Sequence, residues 1–148
     1  MLKIFIDTAP LIYLFEGQET VCAPVRRQLD DWLAAGAELS TSVITVMEVL
    51  VHPIRRGDTA LEYRYRAGLA DLMAESFFPV DETVAALAAR YRALHGCRPA
   101  DALQLAAAVI RRCDIFYTND LRLPVIAGIQ IVPVTRGKAE IEKAEMTL

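Results

Sequence analysis

Lysine is nearly missing from this chain. There are three, Lys3, Lys138 and Lys143, so none stands between positions 3 and 138. Histidine is scarce too, with only His52 and His95, and the three cysteines, Cys22, Cys97 and Cys113, include no C-x-x-C pair. These shortages speak against a soft-ligand metal site, a disulfide framework and a redox dithiol; the odd cysteine count reads as reduced thiols in a cytoplasmic protein. No apolar run reaches the ~18 residues of a membrane span. The opening MLKIFIDTAP places an acid at position 7 and has no signal-peptide cleavage pattern. Repeats, low-complexity segments and linkers are absent as well, so the 148 residues are expected to form one domain, 1–148, with a proper core.

What is present is apolar and rich in arginine. Hydrophobic residues make up 54% of the chain, enough to suggest an apolar surface covered by a partner. Thirteen of the 16 basic residues are arginine, the better bidentate ligand for phosphate. The net charge of −3 rules out a global basic field.

Patterning predicts strands that alternate with helices. KIFID (3–7), apolar on both faces, suits a central parallel strand. Pro10 is expected to open a short helix through LIYLFE, followed by a helix over 20–35 that stops at Gly36. ELSTSV (38–43) reads as a strand leading into the helix ITVMEVLV, with His52-Pro53 and Gly57 as its punctuation. A charged amphipathic helix follows over 58–75, then a short extended piece at FFPV (77–80) and a helix capped by Asp81. DIFYTN (114–119) and IQIVPV (129–134) are the last strands, and Pro133 marks the final one as an edge. The tail KAEIEKAEM reads as a polar helix. The alternation predicts a three-layer α/β/α sandwich around a mainly parallel sheet. In such sheets ligands bind beyond the carboxyl ends of the strands.

Acids stand at those ends. Asp7 closes the first strand, and Asn119 and Asp120 follow the fourth. In RPADALQLAAAVI, Asp101 precedes a buried helix. With Gln104 three residues on, it fits the N-cap of a capping box, and a ligand at a helix start would look the same. Glu48 belongs to a polar stripe, Thr41, Thr45, Glu48 and His52, in an otherwise apolar helix. Four clustered carboxylates raise one another's pKa and call for a cation. Oxygen donors match a hard divalent ion, Mg²⁺ or Mn²⁺. Such an ion assists phosphodiester hydrolysis, and no serine–histidine pair or reactive-cysteine motif competes for the role.

The segments IFIDTAPLIYLFE, TSVITVMEVLVHPIRRGD, RPADALQLAAA and FYTNDLRL occur in an order that resembles the PIN-domain family, and within it the VapC-like toxins. They span Asp7 to Leu123. The resemblance implies a metal-dependent endoribonuclease, the toxin of a type II toxin–antitoxin pair, with a small antitoxin partner and a homodimer. It implies that Asp7, Glu48, Asp101 and Asp120 form the acidic site, with Thr118 and Asn119 as supporting polar groups. Many relatives carry a small hydroxyl two residues after the first acid, where this chain has Ala9 followed by Pro10. Asp7 and Asp101 are the first choices as direct ligands of one or two metals. Single-stranded or looped RNA is the expected substrate, and Arg55, Arg56, Arg98 and Arg122 are candidate phosphate contacts because each lies near a site segment. With the four acids set aside, the net charge of −3 becomes +1, so the remaining surface need not repel RNA. A haloacid-dehalogenase-type phosphatase would need an acid where Ala9 stands, and a phospho-receiver domain would need a late lysine. The rival of a different class is a folded partner-binding protein that binds metal and RNA without turnover.

Overall fold

The structure is a computed structural model that describes residues 1–74 and 76–134. The expected tail helix lies outside the described residues. Five parallel strands form one sheet in the order β3-β2-β1-β4-β5. They are β1 (Lys3–Ile6), β2 (Glu38–Ser42), β3 (Phe77–Phe78), β4 (Ile115–Thr118) and β5 (Gln130–Pro133). Helices α1 (Thr8–Glu16), α2 (Glu19–Ala34), α3 (Val43–Arg56), α4 (Thr59–Leu72), α5 (Glu82–His95) and α6 (Pro99–Ile110) connect them. Parallel neighbours need a long connection; helices supply it from β1 through β4, and the helix-free segment 119–129 supplies it between β4 and β5. Pro133, which has no N–H to donate, ends β5 on the edge, as its chemistry requires.

The period of two along β1 divides the core. Ile4 and Ile6 face one cluster with Leu11, Val25, Leu29, Val49 and Leu69, from α1 to α4. Phe5 faces the other, against Val84, Ala88, Leu105 and Phe116, beneath α5 and α6. Phe5 and Phe116 stack with ring centroids 5.1 Å apart, cross-strand neighbours in register. Fully burying side chains of this size stabilises by about 1.5–3 kcal/mol each relative to exposure. The sheet is therefore covered on both faces, the expected α/β/α arrangement. Among the described residues no helix is long and apolar enough to cross a membrane.

Three element boundaries differ from expectation. Helix α1 begins at Thr8, two residues before Pro10, because Asp7 serves as its N-cap and accepts from the Thr8 N–H at 2.8 Å. Helix α3 starts at Val43, capped by Ser42, and runs through His52 and Pro53 to Arg56. Pro53 sits in the last turns, and the helix ends where Gly57 takes the left-handed conformation at φ 66°. Helix α6 starts at Pro99 with Arg98 as N-cap, so Asp101 lies in the first turn and does not cap it. Proline is favoured at the first helical position, since the N–H it lacks would be unpaired there anyway.

Candidate metal centre

The middle of the sheet brings the acids together. β1 runs to β2 on one side and pairs with β4 on the other, so the chain reverses its winding there and leaves a crevice at the strand ends. Asp7 follows β1, and its N–H donates to Tyr117 O of β4 at 2.9 Å. Asn119 and Asp120 follow β4. Glu48 enters from α3 and Asp101 from the first turn of α6. All four acids line one cavity of about 520 Å³, with Thr8, Ala9, Asn119 and Arg122 also in its wall.

Each acid is held by a different kind of partner. Asp7 is only 9% exposed; Thr118 Oγ1 donates to its Oδ2 at 2.8 Å and the Thr8 N–H to its Oδ1. Burial lifts the Asp7 carboxyl to about 6, against these two hydrogen bonds and with help from the charges of Asp101 and Glu48. Glu48 Oε1 accepts from Thr8 Oγ1 at 2.7 Å. Asp101 is raised by burial and by Asp120, opposed by Arg98 and Arg122. Asp120 is held below the usual range, because Arg122 donates to it from Nε at 3.0 Å and from its backbone N at 2.9 Å. Asp101 thus sits in the first turn of α6, where a negative charge is favourable, while remaining available to the cavity.

Beneath Glu48 lies a buried polar relay that the sequence did not announce. Gln104, 1% exposed, donates from Nε2 to Thr45 Oγ1 at 2.6 Å and to Thr8 Oγ1 at 3.3 Å, and its Oε1 accepts from Ser42 Oγ. Thr41 Oγ1 donates to Thr45 Oγ1 at 2.8 Å and belongs to β2, not to the helical stripe. His52 is exposed and pairs with Arg56, away from the cavity. Gln104 therefore does not complete a capping box; it fixes Thr8, which fixes Glu48. Where Ala9 has no hydroxyl, the preceding Thr8 places one in the cavity wall. Asn119 Nδ2 donates to Tyr13 OH at 2.7 Å, and Thr118 Oγ1 accepts from the Asp120 N–H at 3.0 Å, so both supporting residues organise the loop after β4.

Among the described residues no three acidic, histidine or cysteine side chains converge closely enough to enclose an ion directly. Asp120 is engaged by Arg122 and Glu48 by Thr8. The all-oxygen donor set fits a hard cation that keeps several of its own waters, as Mg²⁺ does. Of the candidate arginines, Arg122 lines this cavity and Arg98 a smaller one beside it, whereas exposed Arg55 and Arg56, at the end of α3, line neither.

The sequence model of the PIN domain matches residues 4–129. The chain belongs to the PIN-domain family. As a PIN domain it is similar to chains of FitAcB from Neisseria gonorrhoeae, at 25% identity and TM-score 0.68 over 86% of this chain and 95% of that one. It also resembles a toxin–antitoxin complex from Klebsiella pneumoniae, at 22% identity and TM-score 0.67 over 90% and 98%. DNA-bound VapBC from Salmonella typhimurium is a further neighbour, at 21% identity and TM-score 0.66 over 91% and 100%. No curated protein matches the chain. The PIN fold explains why acids at positions 7, 48, 101 and 120 share one crevice.

Proposed function

We propose that this PIN domain is a metal-dependent endoribonuclease and the toxin member of a toxin–antitoxin pair. The observation that carries the reading is the meeting of Asp7, Glu48, Asp101 and Asp120 around one cavity, with Asp7 buried deeply enough to titrate near 6. Asp7 and Asp101 would hold Mg²⁺ or Mn²⁺, with Glu48 and Asp120 completing the set directly or through water. When bound, the cation polarises a phosphoryl oxygen and makes hydroxide available near neutral pH. The protein's own part is to keep its donors in place. Thr118 and the Thr8 N–H fix both oxygens of Asp7, and Thr8 fixes Glu48. Arg122 keeps Asp120 ionised. The toxin–antitoxin neighbours support the biological setting. An exposed apolar stripe on α3, Val43, Met47, Val51 and Ile54, offers a surface that an antitoxin or a second copy could cover.

The test is cleavage of single-stranded RNA by purified protein. Cleavage should stop in EDTA and return with Mg²⁺ or Mn²⁺, and should be lost in Asp7→Asn. It should also weaken as pH falls through about 6, where Asp7 takes up a proton and becomes a poorer ligand. Cleavage that persists in EDTA, or in Asp7→Asn, would refute the assignment. Metal-dependent RNA binding without cleavage would favour the partner-binding alternative.

A further inference from the structure

A second cavity, of about 220 Å³, lies against the first and shares Asp101, Asp120 and Arg122 with it. Its own wall adds His95, Cys97 and Arg98. Arg122 is committed to Asp120. Arg98 is exposed, and among the described residues it forms no ion pair. Its positive field reaches both Asp101 and Asp120, so its charge is close to the shared wall. The Cys97 thiol is pushed up by burial and by Asp101, which keeps it neutral, so it adds no negative charge. Helix α6 has no side-chain cap; Pro99 has no N–H and the Ala102 N–H goes to Arg98 O at 2.9 Å, so the Ala100 and Asp101 N–H groups are the first-turn donors left to favour an anion beside Arg98.

We propose that this cavity is a subsite for the RNA phosphodiester flanking the bond that is cut, with Arg98 as its anchor. The inference rests on the ribonuclease reading above, because a cation among the shared acids is what relieves their repulsion of phosphate. A polymer with phosphates at regular intervals can occupy both cavities at once, and a mononucleotide cannot. The fork of the guanidinium suits a phosphate oxygen pair. Arg98 therefore sets the path of the strand across the acids and takes no part in bond cleavage. The strand leaves the acids toward the turn between α5 and α6.

The experiment measures binding of a labelled single-stranded RNA to full-length Asp7→Asn, with and without Arg98→Gln, across a salt series. Losing one phosphate contact on a single strand reduces the magnitude of the slope of log K against log salt by about 0.7. That reduction, with affinity about tenfold weaker near 0.1 M salt, is expected for Arg98→Gln. The same series on wild type with Ca²⁺ in place of Mg²⁺ keeps a hard cation among the acids and guards against misfolding of the Asp7 variant. The Mg²⁺-induced rise in Tm should be retained in Arg98→Gln, at least as large as in wild type, since the variant removes a positive charge near the acids and none of their donors. An unchanged salt slope, or a lost Mg²⁺ response, overturns the subsite. Cleavage by wild type with an unchanged slope overturns the subsite alone. A shallower slope with no cleavage overturns the ribonuclease reading and keeps the phosphate site. Absence of RNA binding in all forms overturns both.

Discussion

Asp7→Asn should stabilise the metal-free protein. The Asp7 carboxyl titrates at about 6 in the fold, against 3.8 as its ordinary value. At 1.36 kcal/mol per pKa unit, keeping it ionised above neutrality costs about 3 kcal/mol. The sign follows from proton counting. Between pH 3.8 and 6 the folded state holds more protons than the unfolded one, so wild-type stability falls as pH rises through that window, and the penalty is complete above it. Asparagine carries no charge and keeps the cap to the Thr8 N–H, but it weakens the bond from Thr118, which returns about 1 kcal/mol. The net gain at pH 7.5 is about 1–2 kcal/mol. For a domain of this size that is a rise in Tm of roughly 2–8 °C. Calorimetry of EDTA-treated protein should show this gain at pH 7.5 and its disappearance near pH 4. Saturating Mg²⁺ should then raise the wild type more than the variant, through linkage to binding. A variant that is less stable at pH 7.5 without metal, or that declines with pH as wild type does, would refute the claim that Asp7 is held in an electrostatically unfavourable place.

Two further substitutions separate structural from chemical roles. Asp101→Asn should leave α6 intact by circular dichroism, because Arg98 occupies the cap position, while RNA cleavage falls by orders of magnitude; full activity would reduce Asp101 to a first-turn charge. Gln104→Leu should lower stability by about 1–3 kcal/mol in urea titration, since Ser42 and Thr8 lose buried partners, and should also weaken cleavage by loosening Glu48. Unchanged stability would mean that the relay has a partner other than Gln104.

The acids were legible in the sequence because strand ends and parallel topology converge by rule. Apolar runs that end in an acid mark β1 and β4 as strands with Asp7 and Asp120 at their carboxyl ends; that the two are neighbours appears only in the sheet order. Pro133 announced the edge for an equally local reason. What was hidden depends on side chains meeting across long separations. Thr8 and Glu48 stand 40 residues apart, and Ser42 and Gln104 62 apart; nothing in either segment reveals its partner. Gln104 was legible as a polar residue in an apolar helix, but the local capping pattern DALQ offered a nearer explanation than a buried relay. Asp101 was misplaced by the same pattern, because Pro99 fixes the helix start more strongly than an aspartate two residues later. The α3 stripe was partly right: Glu48 lines the cavity and Thr45 lies in the buried relay beneath it, whereas Thr41 belongs to the strand and His52 to solvent.

The pairing of β1 with β4 also governs when the protein becomes able to act. Ile4 aligns with Leu39 on one side and with Ile115 on the other, so the first strand waits for its second neighbour, 111 residues downstream. At ribosomal rates of about 5–20 residues per second, that interval lasts roughly 5–20 s. Until then Asp7 lacks both Thr118 and Asp120. No amino-terminal fragment that ends before Asp120 contains the full set of acids. If the chain does cut RNA, it stays inert throughout most of its own synthesis, and its activity arrives only as the sheet closes.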